Sequence, residues 1–269
     1  MKILRVTKNE IPQIWADKGI LVERISSSWL SAFTAAKIAR AVDKSGCEIV
    51  EIYNLTDAMA AVSSRKIARS RFAIVCSIPA NTEAPKGIPT EIRRGVDAWA
   101  FTSQESAADF PSDLKNKTVI PATHFGIKEL AELKSIAPRK YLFVGPLTDF
   151  DRLKQAIADT DCAPDGTALR ICGTGKARYV MAEVRHARGI EHPERIEWAG
   201  ADYDLGNEIT RADAVIKSHR DITDTEAYIM SRGLPLYDRI GGETISEREQ
   251  HTPCFHVEQF KRLYNLIRQ

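Results

Sequence analysis

Short runs of apolar and β-branched residues alternate with longer segments of helical periodicity along nearly the whole chain. In one such segment the apolar residues Phe33, Ala36, Ile38, Ala39 and Val42 recur roughly every three to four residues. The apolar runs predict strands at Ile3–Val6, Ile20–Arg24, Glu48–Tyr53, Phe72–Cys76, Ala98–Thr102, Thr118–Ile120, Lys140–Val144, Ala168–Cys172, Ile196–Trp198, Ala214–Ile216 and Pro235–Tyr237. The periodic segments predict helices at Ser31–Val42, Asp57–Ala68, Phe150–Ala158, Lys176–His186, Asp224–Ser231 and His256–Ile267.

Alternation of strands and helices is typical of α/β proteins, in which helices cover both faces of a parallel sheet. The two series of strands are separated near residues 126–138, where Pro138 precedes the strand Lys140–Val144. We therefore predict two doubly wound, Rossmann-like domains, with bounds of 1–130 and 131–255. The polar stretch Asp238–Pro253 is predicted to be a long loop before the last helix, residues 256–269.

The composition is that of a globular protein, with 43% apolar and 28% charged residues. A net charge of +2 gives no support for nucleic acid as a partner, and no apolar run reaches the roughly 18 residues that span a bilayer. The basic clusters Arg65–Arg71 and Arg93–Arg94 are interpreted as solvated surface in preference to phosphate or anionic-membrane contacts. Five cysteines without CxxC spacing, Cys76 and Cys172 among them in apolar runs, favour a reducing, cytoplasmic location.

One segment combines a helix start, a helix end and the beginning of a strand. Glu226 stands in the first turn of the predicted helix, Gly233 ends that helix, and Pro235–Tyr237 follows at once as a strand. This order directs Glu226 to the rim of a sheet, where α/β proteins bind small ligands. A first-turn carboxylate also interacts favourably with the helix dipole without any ligand, so both interpretations stay open.

Several stretches of the chain resemble, in order, the GT-B-type glycosyltransferases of the large group 1, or family 4-like, set. The C-terminal half carries the clearer likeness, and Glu226–Pro235 is similar to the helix that bears the second Glu of the family's E-x7-E element. The other similar stretches are Glu48–Ala58, Trp99–Ser103, Val119–Pro121, Tyr141–Leu147, Leu169–Lys176, Ile196–Gly200 and Phe260–Tyr264. The resemblance implies two domains that face each other across a cleft, with a final helix that crosses back to the first domain.

The resemblance also implies a donor site on the C-terminal domain, in which Glu226 grips the ribose and two loops border the diphosphate. Glycines there permit positive φ and close approach of the backbone, although a purely structural turn explains Gly173 and Gly175 equally well. Lys176 is either a phosphate contact or a solvated first-turn lysine, and His124 is either a catalytic or acceptor-side residue or a polar loop histidine. The implied donor-binding residues are Gly145, Gly173, Gly175, Lys176, Lys217, Ser218, His219 and Glu226.

Some positions depart from the family pattern. Ser218 stands where the first Glu of E-x7-E is expected, and Asp221 replaces a glycine whose amide faces the phosphates. Pro146 replaces an arginine, and Thr148–Asp151 replaces a Lys-Gly pair, so two cations that stabilise the leaving group are missing. A carboxylate at Asp221 would repel a diphosphate unless it points away or holds a divalent cation. Side chains that could replace the cations in space are Lys217, His219 and Arg220.

The function implied by the resemblance is transfer of a sugar from a nucleotide-sugar donor to a glycan or lipid-linked acceptor. Such a reaction is expected to retain anomeric configuration and to need neither a metal nor a cofactor besides the donor. Peripheral contact with a membrane is compatible with a lipid-linked acceptor. The missing cations and first Glu support an alternative, namely a catalytically inactive relative that binds a glycan, a nucleotide or a partner protein.

Two further interpretations have less support. The segment Gly173–Arg178 begins like a dinucleotide-binding fingerprint, but it lacks the third glycine and lies late in the chain. His251, Cys254 and His256 offer three zinc ligands without the usual companions, and a loop with incidental His and Cys is favoured.

Overall fold

The chain folds as two compact units, each of which is an α/β structure. One unit consists of Met1–Ala122 with Pro253–Gln269, and the other of Thr123–Thr252. The α/β class predicted from the alternating sequence pattern is thereby confirmed. The helix predicted at Lys176–His186 lies outside the described residues. The computed structural model describes residues 1–28, 31–134, 137–175, 190–245 and 247–268.

The first unit contains a parallel sheet of six described strands with helices on both faces. Its strands are β1 (Lys2–Val6), β2 (Leu21–Ile25), β3 (Ile49–Ile52), β4 (Ala73–Ser77), β5 (Ala98–Phe101) and β6 (Lys117–Val119). They lie side by side in the order β2-β1-β3-β4-β5-β6. Its helices are α1 (Ile14–Asp17), α2 (Ser31–Ser45), α3 (Leu55–Ser64), α4 (Thr90–Gly95), α5 (Gln104–Asp109) and the C-terminal helix, α9 in chain order (Pro253–Ile267).

Burial of both sheet faces explains why the central strands of the first unit are apolar. Every residue of β3 and β5 is buried, because helices cover a parallel sheet on both sides. On one face α2 contributes Ile38 and Val42 to the core that it shares with α3. On the other face Trp15 of α1 packs with Phe260 and Tyr264 of α9. The C-terminal helix is therefore part of the core of the first unit.

A buried ion pair links β1, β3 and α9. Arg5 and Glu51 are opposite each other in the ladder, with Nε of Arg5 2.6 Å from Oε2 of Glu51. Tyr264 donates to the same oxygen at 2.8 Å, and Ser77 donates to Oε1 at 3.0 Å. The Arg5 guanidinium also lies 3.6 Å from the centroid of the Trp15 ring.

The titration properties of this cluster follow from burial and from the Glu51 charge. Burial alone would lower the pKa of Arg5, but the Glu51 carboxylate raises it above its ordinary value. Burial, and then the charge of Glu51, raises the pKa of Tyr264 well above its usual range. The phenol is therefore protonated at neutral pH and can donate its hydrogen bond to Glu51.

The second unit contains another six-stranded sheet in its described part. Its strands are β7 (Lys140–Val144), β8 (Ala168–Cys172), β9 (Ile196–Gly200), β10 (Ala214–Ile216), β11 (Leu236–Tyr237) and β12 (Thr244–Ile245). They follow the order β12-β11-β10-β7-β8-β9, and β12 pairs antiparallel with β11 while the other pairs are parallel. Its described helices are α6 (Phe150–Asp161), α7 (Leu205–Arg211) and α8 (Asp224–Ser231), with 3-10 turns at Pro193–Arg195 and Arg248–His251.

Some element bounds differ from the sequence prediction. Helix α3 begins two residues early, because the side chain of Asn54 accepts a hydrogen bond from the N–H of Asp57 at 2.7 Å and caps the helix. The prediction of a continuous loop over Asp238–Pro253 is wrong, since β12 and a 3-10 turn lie within it. The two residues of β12, Thr244 and Ile245, do not belong to an apolar run like the one that predicts β11.

The apolar character of the helices and the state of the cysteines can be compared with the sequence predictions. None of the helices in the described ranges is long and apolar enough to cross a bilayer. The five cysteines are free, and Cys76 and Cys172 are buried within β4 and β8, as their apolar surroundings predict. Burial raises the pKa of Cys172 to about 12, so this thiol is protonated at neutral pH.

Replacing Glu51 by alanine should destabilise the first unit by about 3–5 kcal/mol, because Arg5 would keep a buried charge without its partner. Urea unfolding followed by circular dichroism measures the change. The matched control is Glu48→Ala, which removes a half-exposed pair with Arg268 that is expected to contribute about 0–1 kcal/mol. Equal losses in the two variants would show that the buried pair is not a main support of the unit.

Candidate functional site

The carboxyl ends of β7 and β10 meet where the strand order of the second unit reverses. From β7 the chain proceeds to β8 and β9 on one side and then crosses to β10 and β11 on the other. Open α/β sheets bind ligands at such a switch point, in the crevice outside the carboxyl ends of the strands. Gly145 follows β7 directly, and Lys217–His219 follow β10. Several residues that the sequence predicts for donor binding are thus brought to one edge of the sheet.

Glycines allow the segments after β7 and β8 to run side by side. The N–H of Leu147 donates to the carbonyl of Thr174 at 2.6 Å, and Leu147 forms an isolated parallel bridge with Gly175. A Cβ atom at Gly173 would overlap the carbonyl oxygen of Gly145, and one at Gly175 would overlap that of Leu147. Gly145 and Gly173 have φ values of 153° and 138°, which L side chains rarely adopt. The structural explanation of these glycines therefore rests on direct contacts, and their role in donor binding stays a prediction.

The side chain of Glu226 is fully buried, and its carboxylate accepts four hydrogen bonds from the chain itself. Oε1 accepts from the N–H and the hydroxyl of Ser218, at 2.6 and 2.9 Å. Oε2 accepts from the N–H and the hydroxyl of Thr223, at 2.8 and 3.0 Å. Thr223 is the N-cap of α8 and accepts in return from the N–H of Glu226, which completes a capping box.

These contacts define what Glu226 does in the ligand-free protein. A carboxylate has about four lone-pair sites, and the four donors of Ser218 and Thr223 occupy them. A ribose hydroxyl could therefore bind Glu226 only in exchange for one of these donors. The observed contacts fasten the loop after β10 to the first turn of α8, and ribose binding by Glu226 stays a prediction.

A chain of hydrogen bonds runs from this buried carboxylate towards solvent. The Ser218 hydroxyl, which donates to Glu226, lies 2.9 Å from Nδ1 of His219. The other ring nitrogen of His219, Nε2, lies 3.1 Å from the hydroxyl of Thr148. Ser218 is buried and His219 is only 6% exposed, whereas Thr148 is exposed. We call this series of side chains, Glu226, Ser218, His219 and Thr148, the Glu226–Thr148 chain.

The carboxylate of Asp221 does not point to solvent, so the repulsion of a diphosphate that the sequence suggests is not expected from it. Its side chain is buried, and its Oδ1 lies 3.9 Å from Nε of Arg220. The carboxylate is thus directed into the protein rather than towards solvent. Lys217 is half-buried, and its charge helps to lower the pKa of Asp238, after the larger effect of the hydrogen bond from Arg152. Lys176 lies outside the described residues.

His124 lies against helix α8. Its ring centroid is 4.9 Å from that of Tyr228 in a tilted arrangement, and its Nδ1 accepts from the N–H of Gly126 at 3.0 Å. These contacts involve the side of a helix rather than the carboxyl ends of β7 and β10. The suggested catalytic or acceptor-side role of His124 stays a prediction.

The other interpretations of the sequence receive no support from the described contacts. No group of three or more His, Cys, Asp or Glu side chains in the described ranges is arranged to hold a metal. His251 is buried and its carbonyl accepts from the hydroxyl of Thr123 at 2.5 Å, while Cys254 is exposed. The strand before the fingerprint-like glycines, β8, is the second strand of its unit, whereas a dinucleotide fingerprint follows the first.

Two residues of the site were not singled out from the sequence. Thr223 could have been found, because Thr223 and Glu226 together have the spacing of a capping box before an apolar run. Thr148 carries no comparable signal, since its partner His219 is 71 residues away and meets it only through the order of the strands.

No protein-family model and no curated protein matches the chain by sequence. Solved glycosyltransferase structures do match it by fold. HepE from Anabaena, in complex with UDP, is 12% identical over 88% of this chain and 80% of HepE, with a TM-score of 0.58. The lipopolysaccharide outer core galactosyltransferase WaaB, in its apo form, is 15% identical over all of this chain and 90% of WaaB (TM-score 0.57). A glycosyltransferase from Rickettsia africae is 11% identical over all of this chain and 98% of that protein (TM-score 0.60).

The chain therefore has the GT-B fold of glycosyltransferases, and the fold implied by the sequence resemblance is confirmed. At 11–15% identity the likeness concerns the fold, and it does not carry over what those proteins bind or transfer. Function has to be inferred from the site itself.

Replacing Gly175 by alanine should destabilise the second unit, because the added methyl group would overlap the carbonyl of Leu147. Overpacking of this kind typically costs about 1–3 kcal/mol, which thermal or urea unfolding can measure. Gly87→Ala is the control, since a Cβ at Gly87 meets no atom within 4 Å. If both variants are as stable as the parent, the two loops do not approach as closely as described.

Proposed function

We propose that the protein is a glycosyltransferase that moves a sugar from a nucleotide-sugar donor to a glycan or lipid-linked acceptor. The observation that carries the proposal is the meeting of Gly145 with Ser218 and His219 at the switch point of the second unit. A nucleoside diphosphate is a suitable ligand for loops at such an edge, where glycines let a ligand approach the backbone closely. The UDP bound to HepE, a protein of the same fold, supports this choice of ligand class.

In the proposed reaction the bond between the anomeric carbon and the diphosphate breaks, and an acceptor oxygen forms the new bond to that carbon. The acceptor hydroxyl loses its proton to solvent, and the nucleoside diphosphate leaves with the bonding electrons. We propose retention of anomeric configuration and no requirement for a metal or a resident cofactor. The donor-binding set remains the one implied by the sequence, of which Gly145, Ser218 and His219 have the best-supported positions.

Two features of the site support a second candidate function, which is binding of a ligand without catalysis. The segment after β7 holds Pro146 and Thr148–Asp151 where two cations are expected, and the Glu226 carboxylate is already occupied by Ser218 and Thr223. A protein of this kind would bind a nucleotide, a glycan or a partner protein and release no product.

The two functions are separated by binding and turnover measurements on the full chain. Calorimetry with UDP, GDP and ADP and with their common sugar derivatives tests for the donor site. Release of nucleoside diphosphate from the bound donor, with a mixture of glycan acceptors, tests for transfer. Binding with no release in any mixture supports the second function. The absence of binding, with an unchanged melting temperature for all ligands, contradicts the proposed donor site.

Glu226→Ala should weaken nucleotide binding by roughly 1–3 kcal/mol, the usual effect of losing a charged hydrogen-bond partner. The loss is expected whether Glu226 contacts ribose or holds the Ser218 loop in place. Asp224→Ala is the matched control, because Asp224 lies in the same helical turn but is exposed. Circular dichroism confirms that each variant is folded. Unchanged affinity in the folded Glu226 variant would show that the site lies elsewhere.

We also propose peripheral contact with an anionic membrane through a basic surface of the first unit, in place of the solvated-surface interpretation of the Arg65–Arg71 cluster. It contains two large exposed apolar side chains, Phe33 and Ile67, at 60% and 58% exposure. The carboxylate of Asp43 accepts from the N–H groups of Arg69 and Ser70, which holds the turn after α3 beside α2. The cations of this surface, which we call the α2 basic surface, are Lys37, Arg40, Lys44, Lys66, Arg69 and Arg71, all exposed.

The charge of the α2 basic surface differs from that of the rest of the chain. Its six cations and the single carboxylate of Asp43 give it +5, whereas the whole chain carries +2, so the remainder carries −3. Within the described residues, Lys37, Arg40 and Lys44 form no ion pair and follow one face of α2. Arg65 is not part of the surface, because its half-buried guanidinium pairs with Asp97 and donates to the carbonyls of Gly95 and Phe72.

Replacing Lys37, Arg40 and Lys44 together by glutamine should weaken binding to vesicles of phosphatidylcholine with anionic lipid. Each cation near such a surface contributes about 1 kcal/mol, so partition should fall by about a hundredfold, and added salt should reduce it in the parent protein. The control replaces three exposed cations elsewhere, Lys86, Lys128 and Arg211, by glutamine. Equal binding of the two triple variants, or no sedimentation of the parent with anionic vesicles, would contradict the membrane contact.

A further inference from the structure

We propose that His219 supplies the positive charge for the diphosphate of the donor, by taking up a proton when the ligand binds, and that the Glu226–Thr148 chain positions it for this role. The inference rests on the proposed function and deepens it. It identifies the side chain that replaces the two cations missing after β7. It starts from the geometry of four side chains, three of which are buried.

The direction of each hydrogen bond in the chain follows from the number of available protons. An ionised carboxylate only accepts, so the single hydroxyl proton of Ser218 is donated to Glu226. The Ser218 oxygen can then only accept from His219, which requires a proton on Nδ1. Glu226 therefore acts through Ser218 to fix the tautomer of His219, and Nε2 is the ring nitrogen whose protonation can change. Both Glu226 and Ser218 are positioning residues in this arrangement.

Nε2 of His219 can exist with or without a proton. In both states every polar group of the Glu226–Thr148 chain has a hydrogen-bond partner. When Nε2 has no proton, it accepts from the hydroxyl of Thr148. When Nε2 is protonated, it donates to the Thr148 oxygen, and the Thr148 proton turns to the carbonyl of Pro146, 3.3 Å away. Pro146 stands where the family pattern has an arginine. Its carbonyl accepts the hydroxyl proton of Thr148 when Nε2 of His219 is protonated.

Proton uptake can occur through the exposed end of the chain. Thr148 is exposed, whereas His219 lies behind it with 6% exposure. Thr148 passes its hydroxyl proton to Nε2 and receives another from water, so that one proton from solvent is gained and no bond between heavy atoms changes. The imidazolium then lies between the Glu226 carboxylate, reached through Ser218, and an anion at Thr148. When the anion is bound, the single hydroxyl proton of Thr148 turns from the Pro146 carbonyl to the anion, and a hydroxyl that accepts from an imidazolium is a stronger donor.

Among the described cations of the loops after β7 and β10, Lys217 and Arg220 already interact with carboxylates, which favours His219 for this role. The side chain of Lys217 acts on Asp238, and Arg220 lies 3.9 Å from the buried carboxylate of Asp221. Asp149 is occupied as the N-cap of α6, where it accepts from the N–H of Arg152 at 3.1 Å. The charged side chains on the two loops and on the first turn of α8 are Asp149, Asp151, Arg152, Lys217, Arg220, Asp221, Asp224 and Glu226.

The test is calorimetric titration of the full chain with UDP, and with GDP and ADP if UDP does not bind, at pH 8. The terminal phosphate of the nucleotide is ionised there, so its own titration does not contribute. In two buffers of different ionisation enthalpy, the apparent heat should differ by an amount that corresponds to uptake of up to about one proton per ligand. Affinity should also fall as the pH rises from about 6.5, the ordinary pKa of histidine, to about 9, because the protonated form of His219 is the form that binds.

His219→Asn is the decisive variant, because an amide N–H can still donate to Ser218 but cannot take up a proton. It should bind UDP about tenfold more weakly, with no proton uptake and no dependence of affinity on pH. His192→Asn is the control, since His192 is a half-exposed histidine of the same unit whose Nδ1 lies 3.4 Å from Oε1 of Glu194. If His219→Asn does not fold, Thr148→Val can be used in its place. It removes only the exposed hydroxyl of the Glu226–Thr148 chain and should also abolish proton uptake.

The outcomes distinguish this inference from the function on which it rests. Tight binding of UDP to the parent protein without proton uptake would overturn the role of His219 and leave the donor site intact. Uptake that persists in His219→Asn would assign the proton to another group and would equally overturn it. No binding of any nucleoside diphosphate would overturn both proposals. Uptake in the parent and in His192→Asn, but not in His219→Asn, would support the inference.

Discussion

The carboxylate of Glu226 determines the shape of the candidate site. Its two oxygens hold Ser218 on one side and Thr223 on the other, so the loop after β10 and the first turn of α8 form one bonded unit. The backbone of the loop has no freedom to follow a ligand while these bonds last. Burial makes each of them costly to break, because an unpaired buried donor loses water without compensation. The site is therefore largely preformed in the absence of a donor.

Both units use a fully buried glutamate beside the point where their strand order reverses. In the first unit Glu51 is on β3, adjacent to β1, and is paired with Arg5 and with Tyr264 of the C-terminal helix. In the second unit Glu226 follows β10, adjacent to β7, and its partners within the described ranges are hydroxyl and amide donors rather than a cation. The charge of Glu51 is thus neutralised within the fold, whereas that of Glu226 is not. This difference makes the second unit the better place for a group whose charge depends on a ligand.

The sequence predicted the strands well because buried strands of parallel sheets are short apolar runs, as in Lys140–Val144 and Ala168–Cys172. It also identified Glu226 as the start of a helix at the edge of a sheet, and the T-x-x-E spacing contains the capping box. It could not give the contact of His219 with Thr148 or that of Gly145 with Ser218, because these pairs are far apart in sequence and are joined only by strand order. It likewise missed β12, whose two residues pair because β11 has a free edge and not because of their own pattern.

The inclusion of α9 in the first unit has a consequence for the order in which the chain folds during synthesis. The second unit is continuous, Thr123–Thr252, and has all of its residues before the last helix is made. The first unit is formed from two separate segments of the chain. The surroundings of Arg5, Glu51 and Trp15 are complete only when the last helix supplies Tyr264 and Phe260. Domains generally fold as units as they emerge from the ribosome. The unit whose synthesis starts before that of Thr123–Thr252 is therefore the one that completes its native core after it.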